Sequence, residues 1–158
     1  MTLRPLSKID QLLLGVDKAL RAVVPHSNPS TRPLPVSSDE IPELTITEAR
    51  HVSGLMRINH TGEVCAQGLY HGQAFAAKDS GVKQAMQQSA EEEVDHLVWC
   101  ETRLSELGSH ASVFTPLWYG MSFGLGAVAG AISNEFSLGF VAETEAQVSE
   151  HLQDHIKQ

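Results

Sequence analysis

Three glutamates and one histidine stand where helical periodicity puts apolar residues, and that placement restricts the fold more than any other feature of the sequence. Val82, Met86, Ser89, Glu93, His96, Cys100 and Leu107 recur at three- and four-residue steps, so Glu93 and His96 share one stripe of a helix. Ala49, Val52, Met56, Asn59, Glu63, Ala66 and Tyr70 form a second stripe containing one carboxylate, Glu63. Leu138, Val141, Glu145, Val148 and Leu152 form a third, again with one glutamate. All three carboxylates are therefore expected to point inward. Buried without partners, each would cost several kcal/mol, on the order of 2–7 for a neutral polar group and more for a charge. Few Lys or Arg partners lie on these stripes, so a bound cation resolves the conflict.

The spacing of the rest is that of an all-α chain. Residues 7 to 24 carry Ile9, Leu12, Leu13, Val16, Leu20, Val23 and Val24 at helical intervals, and Ser7 is placed to cap that amphipathic helix. Five of the seven prolines, Pro25 to Pro42, then fall within eighteen residues and read as an extended linker. This divides the chain into 1–43, an amphipathic helix with a Pro-rich linker, and 44–158, the domain proper. Thr45 with Glu48 forms a capping-box pattern opening a helix that runs to about Lys78. A second helix is expected from Val82 to Leu107, ended by Gly108, and another from about Glu135 onward. No segment alternates as a strand does.

Between Leu107 and Asn134 there is no Asp, Glu, Lys or Arg. The stretch from Pro116 to Ile132 is short of the roughly twenty apolar residues that span a bilayer and is diluted by glycine, so a monotopic, partly inserted helix is expected, with a core or oligomer helix as the other reading. Gly120/Gly124 and Gly126/Gly130 offer small faces for close helix contact. The run from Gly124 to Ala129 matches a dinucleotide fingerprint in letters only, since no strand precedes it. Gly62, Gly68 and Gly72 each cost a helix about 1 kcal/mol relative to alanine, which a bulge beside Glu63 or the close approach of a ring substrate or a neighbouring helix would explain, simple tolerance of stray glycines being the other reading.

Net charge is -8, and no cluster of Lys and Arg interleaves with aromatics, which argues against nucleic-acid binding. Residues 1–33 hold five basic groups against Asp10 and Asp17, a local +3 suited to an anionic membrane surface. Cys65 and Cys100 have no disulfide or zinc-knuckle spacing, and a reducing compartment fits best. Neither a signal peptide nor an acid-poor presequence is evident, so the bacterial cytoplasmic face is the expected site, with the matrix side of a mitochondrial inner membrane as the alternative.

Carboxylates with imidazole and no adjacent thiolate, supplied as a lone Glu from one helix and Glu-x-x-His from the next, are the di-iron or di-manganese pattern of ferritin-like bundles. Glu63, Glu93 and His96 complete one half of that pattern. Glu145 begins the second half. By the thirty-residue interval from Glu63 to Glu93, its matching pair is expected past Gln158, which reads as a shortened chain or a helix supplied by a partner. His151 is a candidate for orienting Glu145 or a bound oxidant, an exposed surface histidine being the other reading.

From about residue 50 onward the chain resembles the demethoxyubiquinone hydroxylase family, through Arg57-Ile58-Asn59-His60-Thr61-Gly62-Glu63, Glu91-Glu92-Glu93-Val94-Asp95-His96-Leu97 and Pro116-Leu117-Trp118-Tyr119. The resemblance implies a ferritin-like fold, two Fe ions bridged by carboxylates with Glu63, Glu93, His96 and Glu145 among their ligands, and O₂ as co-substrate. It further implies a membrane-associated monooxygenase acting on a polyprenyl benzoquinol, with an external reductant such as NADH. The competing classes are a ferritin-like iron-oxidising or storage protein and a non-catalytic quinone- or lipid-binding module. A homo-oligomer is compatible with each.

Overall fold

The computed structural model describes residues 6–35 and 43–155, with side chains as far as Gln153. Arg4, Pro42 and Gln158 lie outside these described residues. Within them the chain forms five helices and no strand: α1 (Lys8–Val23), α2 (Ile46–Ala76), α3 (Ser80–Glu106), α4 (Thr115–Ile132) and α5 (Asn134–His155).

Local chemistry sets most of these boundaries. Ser7 and Asp10 exchange backbone and side-chain hydrogen bonds in a capping box at the start of α1, and Thr45 with Glu48 does the same for α2. Asp79 caps α3 through the Val82 amide at 3.0 Å, a start two residues earlier than the apolar period alone gives. Gly108 has φ +64°, the left-handed conformation that ends α3 at no steric cost.

Side-chain pairings along α2 give the topology. Its residues Arg57, Gln67 and Tyr70 meet Ser109, Ala90 and Met86 respectively, so α3 runs antiparallel to α2. Gly68 and Gly72 lie against Tyr119 and Ala127, so α4 runs parallel to it. Gln73 and Tyr70 reach Ser137 and Glu145, so α5 runs antiparallel. Ala22 of α1 closes a small core cluster with Val64, Leu97 and Tyr119.

The α2–α4 contact is made backbone to backbone. A Cβ at Gly68 would stand 2.6 Å from the Tyr119 carbonyl oxygen, and one at Gly72 would be 2.8 Å from the Ala127 nitrogen. Gly126 and Gly130 oppose Leu69 and Gln73 in the same way. A neighbouring helix thus accounts for Gly68 and Gly72. Gly62 faces open space, α2 continues past it without a break, and Gly120 and Gly124 also face open space. Residues 124–129 lie inside α4, which leaves no loop for a phosphate.

Packing on α2 leaves the opposite side of α4 uncovered. Leu117, Met121, Leu125, Val128 and Ile132 are all exposed, as are Ile9, Leu13, Val16 and Leu20 on α1. The apolar stripe of α1 is therefore turned outward, the reverse of a helix that docks by its stripe. No described helix is long and apolar enough to cross a membrane.

The Pro-rich segment is tied down where it is described. Asp95, 3% exposed, accepts hydrogen bonds from Ser30, Thr31 and Arg32. Burial alone would raise its pKa, but the hydrogen bonds from Arg32, Thr31 and Ser30 outweigh it and hold the carboxyl well below the usual carboxylate range.

The glycine contacts generate opposite expectations for one substitution type. Gly72→Ala should destabilise by about 1–3 kcal/mol, because the new methyl meets backbone that cannot yield. Gly54→Ala, in open space on the same helix, should stabilise by up to about 1 kcal/mol. Urea unfolding of both variants checks the contrast, and equal effects would contradict the packing described.

Candidate metal centre

Antiparallel pairing of α2 with α3 brings Glu63 opposite the turn that carries Glu93 and His96. One ligand atom from each of the three lies within 4.8 Å of the others. His96 Nδ1 is 2.7 Å from Glu93 Oε2, as the three-residue step on one helix requires. The Trp99 ring sits beside the imidazole, with ring centroids 5.2 Å apart.

The glutamates are less buried than their stripes suggest. Glu63 and Glu93 are half-buried, and the His96 side chain is 41% exposed. The fully buried stripe of α2 runs through Ser53, His60, Val64 and Gln67, and that of α3 through Ala90, Leu97, Glu101 and Leu104. Both are rotated about one residue from the expected seams, so the ligand candidates line a cleft at the edge of the core.

Glu145 corrects the inward placement expected of it. As a residue it is exposed, and only its Oε1, accepting a hydrogen bond from the Tyr70 hydroxyl, reaches the cleft. The reason lies in α5, whose Leu138, Val148 and Leu152 are themselves substantially exposed, while Val141 alone of that seam packs on the core. His151 is exposed on the same helix.

Electrostatics show why this cluster suits a cation. Burial, the charge and hydrogen bond of Glu93, and the charge of Glu145 push the Glu63 carboxyl up to about 8. Tyr70 is likewise held in its neutral form, by burial and by the adjacent carboxylates, and serves as a donor. Cys100, pushed up to about 12 by burial and by Glu63 and Glu101, offers no thiolate. The donor set is thus carboxylate and imidazole, which fits iron or manganese, and a divalent cation would relieve the repulsion that keeps Glu63 protonated.

Two polar features escaped the sequence reading. Tyr70 counted there as an apolar member of its stripe, yet its hydroxyl holds Glu145. His60, 1% exposed, lies with Nε2 3.6 Å from Glu101 Oε1, and Glu101 Oε2 accepts from the His26 amide at 2.9 Å. The signal for Glu101 was its place between Leu97 and Leu104 at helical spacing.

A prediction follows from the raised Glu63 pKa. The metal-free folded chain holds a proton that the unfolded chain loses near the ordinary value of 4.5, so stability should fall as pH rises from there to about 8 and then level off. Glu63→Gln should flatten that part of the profile in urea unfolding. An unchanged slope would refute the electrostatic account.

The ubiquinone biosynthesis protein COQ7 family model matches residues 50–158. The chain is 94% identical over 158 residues to a 3-demethoxyubiquinol 3-hydroxylase of Psychrobacter arcticus, covering 100% of this chain and 74% of the relative. It is 57% identical over 157 residues to the protein of the same name from Pseudomonas fluorescens, covering 99% of this chain and 73% of that one.

Proposed function

The chain belongs to the family of ubiquinone biosynthesis protein COQ7, and from this we propose that it hydroxylates the ring of a polyprenyl demethoxybenzoquinol, using O₂ and two Fe ions. The observation that carries the proposal is the convergence of Glu63, Glu93 and His96 on one point in the cleft. A ferritin-like bundle is the architecture we infer from the lone glutamate of α2 and the Glu-x-x-His of α3.

Bound iron supplies the capacity to reduce O₂ and deliver oxygen to the ring. The protein's part is placement and charge. Glu63 and Glu93 face each other from two helices and would hold the metals, with His96 adding a nitrogen donor from the turn that carries Glu93. Tyr70 keeps its proton and holds Glu145 by it, so that the α5 carboxylate stays at the cleft. His96, 41% exposed, leaves this edge of the site open to the outside. Electrons come from an external donor such as NADH.

We further propose that the chain rests on the cytoplasmic face of a bacterial membrane through α1 and α4, without crossing it. The outward apolar faces of both helices and the net +3 of residues 1–33 support this. Vesicles containing anionic lipid should retain the chain at low salt and release part of it at high salt. Leu13→Asp and Leu125→Asp should each weaken retention, and binding unchanged by both would refute the assignment.

For the reaction, Glu63→Gln should lower metal affinity at least about tenfold, the smallest effect expected even of an outer ligand partner, and abolish iron-dependent product formation. Product mass and bound iron per chain are the measurements. Full hydroxylation by the variant would overturn the reading.

A further inference from the structure

Core packing does not hold His96, whose side chain is 41% exposed, yet a metal ligand needs a fixed orientation. The structure places a separate device beside it. Asp95, its neighbour in sequence, accepts from the Thr31 amide at 2.6 Å, the Thr31 hydroxyl at 2.9 Å, the Ser30 hydroxyl at 3.0 Å, the Arg32 amide at 3.3 Å and Arg32 Nε at 2.7 Å. Every one of these donors comes from three consecutive residues more than sixty positions away in the chain.

Arg32 then extends the contact toward the ligand in two ways. Its Nη2 donates to the Glu92 carbonyl oxygen at 3.1 Å, the oxygen that helical geometry assigns to the His96 amide. Its guanidinium carbon lies 5.1 Å from the centre of the Trp99 ring, and that ring is 5.2 Å from the imidazole of His96. The strap therefore grips both the backbone turn that carries His96 and the aromatic ring against which His96 rests.

We propose that residues 30–32 form a strap that positions His96 for metal binding, with Asp95 as its anchor and Arg32 as the link to Glu92 and Trp99. The inference rests on the reading of His96 as a metal ligand. It assigns the N-terminal segment a part in building the centre, and Arg32 acts through its neighbours without touching metal or substrate. Arg32 does more than neutralise Asp95, since its planar fork makes two directed bonds, to Asp95 and to the Glu92 carbonyl, while lying over an indole, a combination an ammonium does not reproduce.

The test is a Co²⁺ titration of the full 158-residue chain. It is read by the visible absorption of the ion and by Trp99 emission in a Trp118→Phe background. Arg32→Ala should weaken Co²⁺ binding about tenfold and reduce the emission response. Arg32→Lys should recover only part of the affinity, and Thr31→Val, a milder change that tests the strap if Arg32→Ala fails to fold, should weaken binding a few fold. Limited proteolysis near residues 28–35 reports whether the strap has been released. Release of the strap with Co²⁺ affinity within twofold of the unsubstituted chain would overturn the positioning role and leave the metal centre standing. Absence of Co²⁺ binding by the unsubstituted chain would overturn both.

Discussion

The close approach of α2 and α4 is the constraint on which the other contacts depend. Gly68 and Gly72 of α2 meet the backbone of α4, and Gly126 and Gly130 of α4 meet that of α2. With 100° between successive residues, Gly72 lies on the side of α2 opposite Glu63. One face of α2 is thereby committed to a dry, small-residue contact, and the other is left to α3 and α5, where the carboxylates gather. The same contact turns the larger apolar residues of α4 outward. Leu117, Met121, Leu125, Val128 and Ile132 form an exposed strip that a soluble core would have covered.

The cleft that results is electrostatically unfinished without a cation. Glu63 is kept protonated by burial and by Glu93 and Glu145, while Tyr70 and Cys100 are held neutral nearby. Asp95, two residues after Glu93 and one before His96, is treated in the opposite way. It is fully buried yet richly supplied with donors from Ser30, Thr31 and Arg32. Acidic residues on two paired helices thus carry contrary assignments, Glu63 of α2 lacking a positive partner and Asp95 of α3 already supplied with one.

Much of this was legible in local sequence, for a physical reason. Capping at Ser7 and Thr45, the left-handed Gly108 and the span of α4 depend on residues within a few positions of one another, so pattern and structure coincide there. The pairing of Glu93 with His96 belongs to the same class, being fixed by one turn of helix. Family membership was legible too, since it resides in short motifs around Glu63, Glu93 and Trp118.

What periodicity could not supply was the absolute rotation of each helix. A stripe of mixed small and apolar residues is broad enough that the buried centre of α2 falls on His60 and Val64, one step from the seam that holds Glu63. Hence the burial of the glutamates was overstated, and Glu145 proved to be an exposed residue with one oxygen at the cleft. The docking of Thr31 and Arg32 on Asp95 was invisible for a different reason: it joins positions about sixty residues apart, and no local spacing encodes such a contact. The sequence by itself determined the helices, most of their caps and the carboxylate and imidazole groups of the candidate site, because those follow from neighbours along the chain. Only the tertiary structure decided which way each helix turned, which glutamate came together with Glu93 and His96, and which residues touch the turn that carries His96, because those depend on how α2, α3, α4 and residues 30–32 meet in space.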